Sequence, residues 1–187
     1  RGAPADFMIH VPVDKALQRQ NADVEIFSAY HNEQIAVIRN LERIPVFAGL
    51  DAFTRSRIGV EIGTLADEYM LGALGGRFRN GVAHFRTIAE SVDALRRGEV
   101  DAVLGSRSQI EAAMSGSSPQ FELTPFTGVG LSVHDWDLGL AIKSGEPALA
   151  TALTEAMRAL ESEGALKQIF RNHGTTWFPP RRSAAAQ

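Results

Sequence analysis

Strand-like and helix-like segments alternate between residues 57 and 114, and this order constrains the fold more than any other feature of the chain. Each short, apolar, β-rich segment is followed by a longer segment with helical periodicity. The pattern predicts strands over residues 58–62, 82–85 and 100–104, and helices over residues 65–74, 88–97 and 108–114. Because helical crossovers join parallel strands, this order predicts an α/β layer architecture with a parallel sheet.

Further elements flank this α/β pattern on both sides. Residues 6–13 are apolar and β-rich, which predicts a buried strand. Other strands are predicted over residues 24–27, 34–39, 121–125 and 138–142, and helices over residues 14–20, 147–163 and 165–172. In the longest of these helices Leu149, Leu153 and Leu160 keep the helical period, and Pro147 stands in the first turn, where proline is tolerated.

The composition excludes several classes of function. The 187 residues include no cysteine, so disulfide frameworks, thiolate metal sites and thiol nucleophiles are excluded. The 19 basic residues are outnumbered by 22 acidic ones, which argues against a nucleic-acid partner. The five histidines lack metal-binding spacing, and no apolar run is long enough to span a membrane. We therefore expect no metal, no cofactor and no membrane span.

Residues 63–67 (GTLAD) form the most informative motif. Thr64 is expected to cap the helix that follows, and Asp67, three residues later, to return toward the Thr64 amide. A helix that starts directly after a strand presents N–H groups and a positive dipole end, which suit a carboxylate or a phosphate. An ordinary capped helix without a ligand explains the same five residues.

The order of the motifs resembles the bacterial extracytoplasmic solute-binding proteins of the polar amino-acid type. Residues 58–64 (IGVEIGT) are similar to the strand and Gly-Thr turn that open the second lobe of that family, and residues 91–103 (SVDALRRGEVDAV) to its next helix and strand. Residues 140–149 (LAIKSGEPAL) resemble its return segment through the hinge, and residues 163–170 (EGALKQIF) its closing helix.

This resemblance implies an α/β fold of the type II periplasmic-binding-protein kind, with two lobes of which the first is incomplete. Residues 1–38 and 138–178 would form the remainder of the first lobe and the hinge. Residues 39–137 would form the second α/β lobe, and residues 179–187 a flexible tail. Because the chain begins with Arg1 and not with Met, we expect it to be processed or to be part of something longer.

The resemblance also implies a ligand site at Gly63, Thr64, Ser106 and Tyr30. Gly63 and Thr64 match the turn that holds the ligand carboxylate in the family. The family usually has an Asp for the ligand ammonium at the position of Ser106, and a neutral hydroxyl cannot supply that charge-assisted bond. The carboxylate-clamping Arg of the family has Arg19 as its nearest candidate here. Amino-acid binding is therefore not expected.

Residues 7–14 (FMIHVPVD) and Tyr30 resemble a subgroup that accompanies periplasmic quinoprotein alcohol dehydrogenases, the J-type accessory proteins of methanol oxidation. Both resemblances imply a non-catalytic binding protein of the periplasm. In one version the chain binds a small anionic solute and works with an ABC permease. In the other it is an accessory or maturation partner of a PQQ-dependent dehydrogenase.

An enzyme on the same scaffold is the alternative from another class. A cyclohexadienyl dehydratase or a transglycosylase-like hydrolase needs a cleft carboxylate or histidine with a shifted pKa. Glu61 and Asp101 flank the predicted mouth of the site, but they belong to predicted strands and are interpreted as structural residues.

Overall fold

The computed structural model describes residues 5–114, 116 and 118–181, which separate into two units. Unit 1 comprises residues 5–33 and 135–181, and unit 2 comprises the described residues from 34 to 134. The units therefore change after residues 33 and 134, whereas the lobes inferred from the sequence change after residues 38 and 137.

The predicted alternation of strands and helices is present in the structure. In chain order the elements are β1 (Phe7–Pro12), α1 (Lys15–Gln20), β2 (Val24–Asn40), β3 (Ile58–Glu61), α2 (Leu65–Gly76), β4 (Val82–Phe85), α3 (Ile88–Arg96), β5 (Ala102–Ser106), α4 (Arg107–Met114), β6 (Phe121–Pro125), β7 (Asp135–Lys143), α5 (Pro147–Ser162) and α6 (Ala165–Asn172). Short 3-10 helices lie at Leu50–Phe53 and Arg79–Gly81, and the backbone of α2 departs from helical geometry at residues 73–75. None of the described helices is long and apolar enough to cross a membrane.

Unit 2 is built on a sheet with the strand order β6-β2-β5-β3-β4. Strand β3 runs parallel to β4, with Ile58 opposite Val82, and parallel to β5, with Ile58 opposite Ala102. The parallel α/β arrangement predicted from the sequence is thereby confirmed. Because β3, β4 and β5 share one direction, their carboxyl ends, each followed by a helix, lie at the same edge of the sheet.

The core of unit 2 forms where α3 and α4 cover this sheet. Val92 and Leu95 of α3, Val103 of β5 and Ile110 of α4 are completely buried against one another. Thr87 caps α3 by accepting a hydrogen bond from the Glu90 amide at 3.1 Å. The buried face of α3 and its cap fix the direction in which the helix leaves the edge of the sheet.

Unit 1 contains β1, β7 and the first part of β2 in adjacent positions, and helices α1, α5 and α6. Strand β1 pairs antiparallel with β7, with Phe7 opposite Ile142. The prediction that this segment is buried is wrong: Phe7, Met8 and Ile9 are 45%, 60% and 63% exposed. Among the described strands β1 has only β7 as a neighbour, so its apolar composition does not lead to burial.

The two predicted strands at residues 24–27 and 34–39 are one continuous strand, β2. The residues between the two predicted strands include His31, Asn32 and Glu33, which are polar and nevertheless buried. The Asn32 amide donates to the Phe178 carbonyl at 3.0 Å, and its side chain donates to Asp137 Oδ1 at 2.9 Å. These distant partners satisfy the polar groups, so a polar stretch continues as a buried strand.

The residues that follow α6 are held on unit 1 by hydrogen bonds. The Trp177 indole donates to the Tyr30 carbonyl at 2.7 Å, and the Phe178 amide lies 3.3 Å from His31 Nδ1. The Arg181 amide donates to Asp137 Oδ1 at 3.0 Å, and its guanidinium pairs with Asp135. Of the predicted flexible tail, residues 182–187 lie outside the described residues.

The close approach of β3 to α3 predicts a measurable effect of Gly59→Ala on stability. A Cβ at Gly59 would lie 2.3 Å from Ser91 Oγ and 3.2 Å from a ring carbon of Phe85. Overpacking of this kind lowers the free energy of unfolding by about 1–3 kcal/mol. Urea denaturation measures the loss. The additional change Ser91→Ala is expected to restore part of it, because Ser91 Oγ is buried and none of the described residues forms a hydrogen bond with it.

Gly72→Ala is the matched control for that substitution. Apart from the adjacent residues and the backbone of the helix itself, no atom of the described residues lies within 4 Å of a Cβ built at Gly72, which is exposed on α2. Alanine is the better helix former, so this change is expected to raise the free energy of unfolding by about 0.5–1 kcal/mol. Equal losses from the two glycine substitutions would contradict the packing argument.

Candidate functional site

Three of the four residues assigned to the ligand site lie at the carboxyl edge of the unit 2 sheet. Gly63 and Thr64 form the turn between β3 and α2, and Ser106 ends the neighbouring strand β5. Tyr30, the fourth, lies on β2 within unit 1. The parallel topology therefore brings Gly63, Thr64 and Ser106 to one edge.

The turn before α2 is fixed by a set of short-range hydrogen bonds. Gly63 has a φ of +74°, a left-handed conformation that favours glycine. Its amide donates to Asp67 Oδ2 at 2.9 Å. Thr64 Oγ1 accepts from the Asp67 amide at 3.4 Å and donates to the Glu61 carbonyl at 2.8 Å.

The predicted capping box is present but shifted by one residue. Asp67 was expected to accept from the Thr64 amide, and it accepts from the Gly63 amide instead. The physical reason is that the Thr64 amide donates to the Glu61 carbonyl at 3.4 Å, which closes the turn. Thr64 itself is the N-cap of α2, as the sequence predicts.

The start of α2 leaves donors for a ligand. Among the described residues, no group accepts a hydrogen bond from the backbone N–H of Leu65 or Ala66. Open N–H groups at a helix start favour an anion. Asp67 and Glu68 lie in the same turn, so their carboxylates reduce the positive potential that the helix dipole provides.

A contact between the buried Asp67 and the exposed His84 supports this turn, and the sequence did not indicate it. Asp67 is 6% exposed, and His84 Nε2 lies 3.0 Å from its Oδ1 atom. The pair satisfies the distance for an ion pair, but the angle does not make a hydrogen bond, and Oδ1 has no other partner in the described residues. The sequence signal for His84 is its position on the strand after α2. Parallel pairing of β4 with β3 places His84 opposite Val60, close to the turn that follows β3.

Ser106 is half-buried, and a cation follows it in the chain. Arg107 opens α4, and its Nε lies 2.8 Å from Glu111 Oε1, with the two side chains 20% and 11% exposed. Ser106 pairs with Ile35 of β2 in the sheet. The position at which the resemblance implies a carboxylate therefore carries a hydroxyl, next to the ion pair between Arg107 and Glu111.

Tyr30 belongs to unit 1, and its contacts there are with His10 and Trp177. Its hydroxyl lies 3.3 Å from His10 Nδ1, and its carbonyl accepts from the Trp177 indole. Partial burial raises the pKa of the Tyr30 hydroxyl above its ordinary value, so the group stays neutral at physiological pH. A neutral phenol can donate one hydrogen bond and accept another.

The two carboxylates considered for catalysis both have structural partners. Glu61 Oε2 accepts from the Ile88 amide at 3.1 Å, at the start of α3. Asp101 precedes β5, at the opposite end of the strand from Ser106, and its Oδ2 accepts from the Arg57 amide at 2.8 Å. Among the described residues no group of three or more His, Asp or Glu is placed to hold a metal ion.

A groove of about 440 Å³ lies on the surface of unit 2, between the starts of α3 and α4. It is lined by Glu61 and by Thr87, Ile88, Ala89, Gln109, Ala112 and Ala113. Gly63, Thr64 and Ser106 are not among its lining residues, although Glu61, at the end of β3, is.

Comparison with solved structures identifies the fold. An ancestral cationic amino-acid solute-binding protein superposes with a TM-score of 0.70 at 13% identity, covering 91% of this chain and 69% of that one. An amino-acid ABC transporter substrate-binding protein from Streptococcus pneumoniae, bound to L-arginine, gives 0.65 at 14% identity, covering 91% and 68%. The chain has the fold of the type II periplasmic solute-binding proteins. The ligand-binding core of GluR0 in complex with L-glutamate shares this fold, with a TM-score of 0.63 at 16% identity, covering 90% of this chain and 72% of that one.

Comparison with curated proteins adds a likeness in sequence. The ABC transporter glutamine-binding protein GlnH of Bacillus subtilis (strain 168) is 30% identical over 92 residues, which are 48% of this chain and 31% of that protein. The match spans about a third of the length of the curated relative. No protein-family model matches the chain. The resemblance to polar amino-acid solute-binding proteins, drawn from the motif order, is confirmed by these findings.

The hydroxyl of Thr64 is expected to stabilise the start of α2. Thr64→Ala removes the acceptor for the Asp67 amide and the donor to the Glu61 carbonyl, so the free energy of unfolding should fall by about 1 kcal/mol. Thr64→Ser keeps both hydrogen bonds, so its free energy of unfolding should fall by much less. Thermal and urea unfolding of the two variants measure the difference, and equal losses would show that the hydroxyl does not cap the helix.

Proposed function

We propose that this chain is the non-catalytic solute-binding component of an ABC-type uptake system outside the cytoplasmic membrane, in the periplasm. The observation that carries the proposal is the Gly63–Thr64 turn, at the carboxyl edge of a parallel sheet, in a fold shared with amino-acid solute-binding proteins. In open α/β sheets ligands bind at this edge. The sequence likeness to a glutamine-binding protein of an ABC transporter supports the same role.

The ligand that fits this edge is a small solute with a carboxylate and without an ammonium group. Leu65 and Ala66 offer backbone donors at the start of α2, next to the Thr64 hydroxyl. Ser106, in contrast, has no negative charge with which to bind an ammonium group. A small organic anion therefore loses its water at lower cost here than a zwitterionic amino acid does.

The proposal that the chain is non-catalytic rests on the hydrogen bonds that its carboxylates at this edge already form. Asp67 and Glu61 each accept a backbone hydrogen bond that fixes a turn or a helix start. A general acid or base needs a proton-transfer group that reaches the substrate, and these two groups are committed to backbone amides. A dehydratase or hydrolase on this fold would require another residue.

A second candidate function is that of an accessory partner of a periplasmic PQQ-dependent dehydrogenase. The observation that favours it is the exposure of β1, the segment that resembles the methanol-oxidation accessory proteins. Phe7, Met8 and Ile9 present apolar side chains on an edge strand, a surface that suits contact with another protein. Binding of a purified quinoprotein dehydrogenase by the wild-type chain, lost in Ile9→Lys, would favour this candidate over the first.

The ligand class predicts the outcome of a thermal-shift panel. Small carboxylates without an amine, such as pyruvate, L-lactate and succinate, are expected to raise the Tm by about 5 °C or more at a hundredfold excess over Kd. The natural amino acids are expected to raise it by no more than about 1 °C. Stabilisation by an amino acid and by none of the carboxylates would contradict the ligand class.

Two substitutions at this edge test where the carboxylate binds. Thr64→Val removes a hydroxyl beside the open amides and should weaken the affinity of a stabilising carboxylate several-fold, as measured by calorimetry. Ser106→Asp adds a negative charge at the end of β5 and should weaken it further, whereas the neutral Ser106→Asn should not. An unchanged Kd in both Thr64→Val and Ser106→Asp would place the ligand elsewhere.

A further inference from the structure

Three residues from separate elements of unit 2 form a chain of contacts that ends at the turn before α2. His84 on β4 lies 3.0 Å from one oxygen of Asp67 on α2, and the other oxygen of Asp67 accepts from the Gly63 amide at 2.9 Å. One carboxylate therefore joins an ionisable ring to the backbone of the turn. A change in the charge of the ring reaches Gly63 through this carboxylate.

The burial of Asp67, on one side of this contact, gives the connection its energetic weight. The Asp67 side chain is 9% exposed, whereas that of His84 is 38% exposed. Asp67 Oδ1 has no hydrogen-bond partner in the described residues, and a buried carboxylate oxygen without a partner is unfavourable. His84 Nε2 is the group beside it, and it compensates the carboxylate fully only when the imidazole is protonated.

We propose that His84 is a positioning residue whose protonation strengthens the hold of Asp67 on the Gly63–Thr64 turn and thereby favours the binding of a carboxylate at the start of α2. The imidazolium offsets the negative charge of Asp67. Without this offset, the carboxylate reduces the positive potential that the helix dipole offers to an anion in the same turn. The effect on the ligand rests on the proposed function. The effect on the turn does not depend on any ligand.

Most of the other ionisable groups on the elements around β4 have partners of their own, and the remaining one, Glu68, is exposed. On β3, Glu61 accepts from the Ile88 amide, and on α3, Glu90 accepts from the Arg86 amide while Asp93 pairs with Arg96. On α2, Glu68 is exposed and Tyr69 donates to the Val129 carbonyl, with a pKa raised by partial burial. Among these groups, Asp67 is the one in contact with the His84 ring.

The amide of Gly63 provides a direct readout that needs no ligand. In ¹⁵N-labelled protein, its chemical shift is expected to change with pH together with the shifts of the His84 ring protons. In His84→Gln the side-chain amide can still donate to Asp67 but has no ionisable ring, so the Gly63 shift should not follow the pH in this way. In His84→Leu the donor is lost as well, and the Gly63 amide should exchange faster with solvent.

His173→Gln is the matched control, because His173 is an exposed imidazole at the end of α6 in unit 1. This variant should keep the wild-type titration of Gly63. A Gly63 shift that is flat in the wild type, or one that still titrates in His84→Gln, would overturn the proposal.

Calorimetry with pyruvate and L-lactate tests the consequence for binding. Both probes stay ionised between about pH 5.5 and about pH 8, so their own charge does not change. The Kd of the wild type is expected to fall about two- to fivefold from the upper to the lower pH, and that of His84→Gln to stay constant. Binding that is independent of pH in the wild type overturns the inference and leaves the proposed function intact. If neither probe binds, the proposed ligand class fails, and the Gly63 titration alone decides the role of His84.

Discussion

The parallel pairing of β3 with β4 and β5 is the constraint on which the rest of unit 2 depends. Backbone hydrogen bonds set the three strands in one direction, so three strand ends and three helix starts meet at one edge. The helices α3 and α4 then bury their apolar faces on the sheet and hold that edge in place. A turn such as Gly63–Thr64 can present backbone donors there because the strand before it and the helix after it are both anchored.

Unit 1 differs from unit 2 in which of its polar and apolar groups are buried. Its buried positions include His31, Asn32 and Glu33, whereas the apolar β1 is exposed. Hydrogen bonds from Asn32 to Phe178 and Asp137 make the polar burial possible. Strand β1, in contrast, pairs with β7 alone among the described strands, and its apolar side chains stay exposed. The burial predicted for β1 from its hydrophobicity was therefore wrong.

The site shows the same division between local and distant causes. Thr64 was recognisable as an N-cap because its partners lie within a few residues, and the left-handed Gly63 fits the same local turn. The partner of Asp67 was predicted one residue away from the correct amide, since the closing hydrogen bond of the turn had already used the Thr64 N–H. His84 was not predicted at all, because its contact with Asp67 depends on how β4 packs against α2.

The sequence by itself determined the parallel α/β order, the positions of most helices and strands, and the capped helix start at Thr64. Each of these follows from periodicity or from hydrogen bonds between near neighbours, which a linear pattern records. The tertiary structure alone decided that β2 continues through a polar stretch, that β1 is exposed, and that a buried carboxylate links His84 to Gly63. Those outcomes depend on groups far apart in the chain, whose desolvation and pairing energies are set only once the strands have assembled.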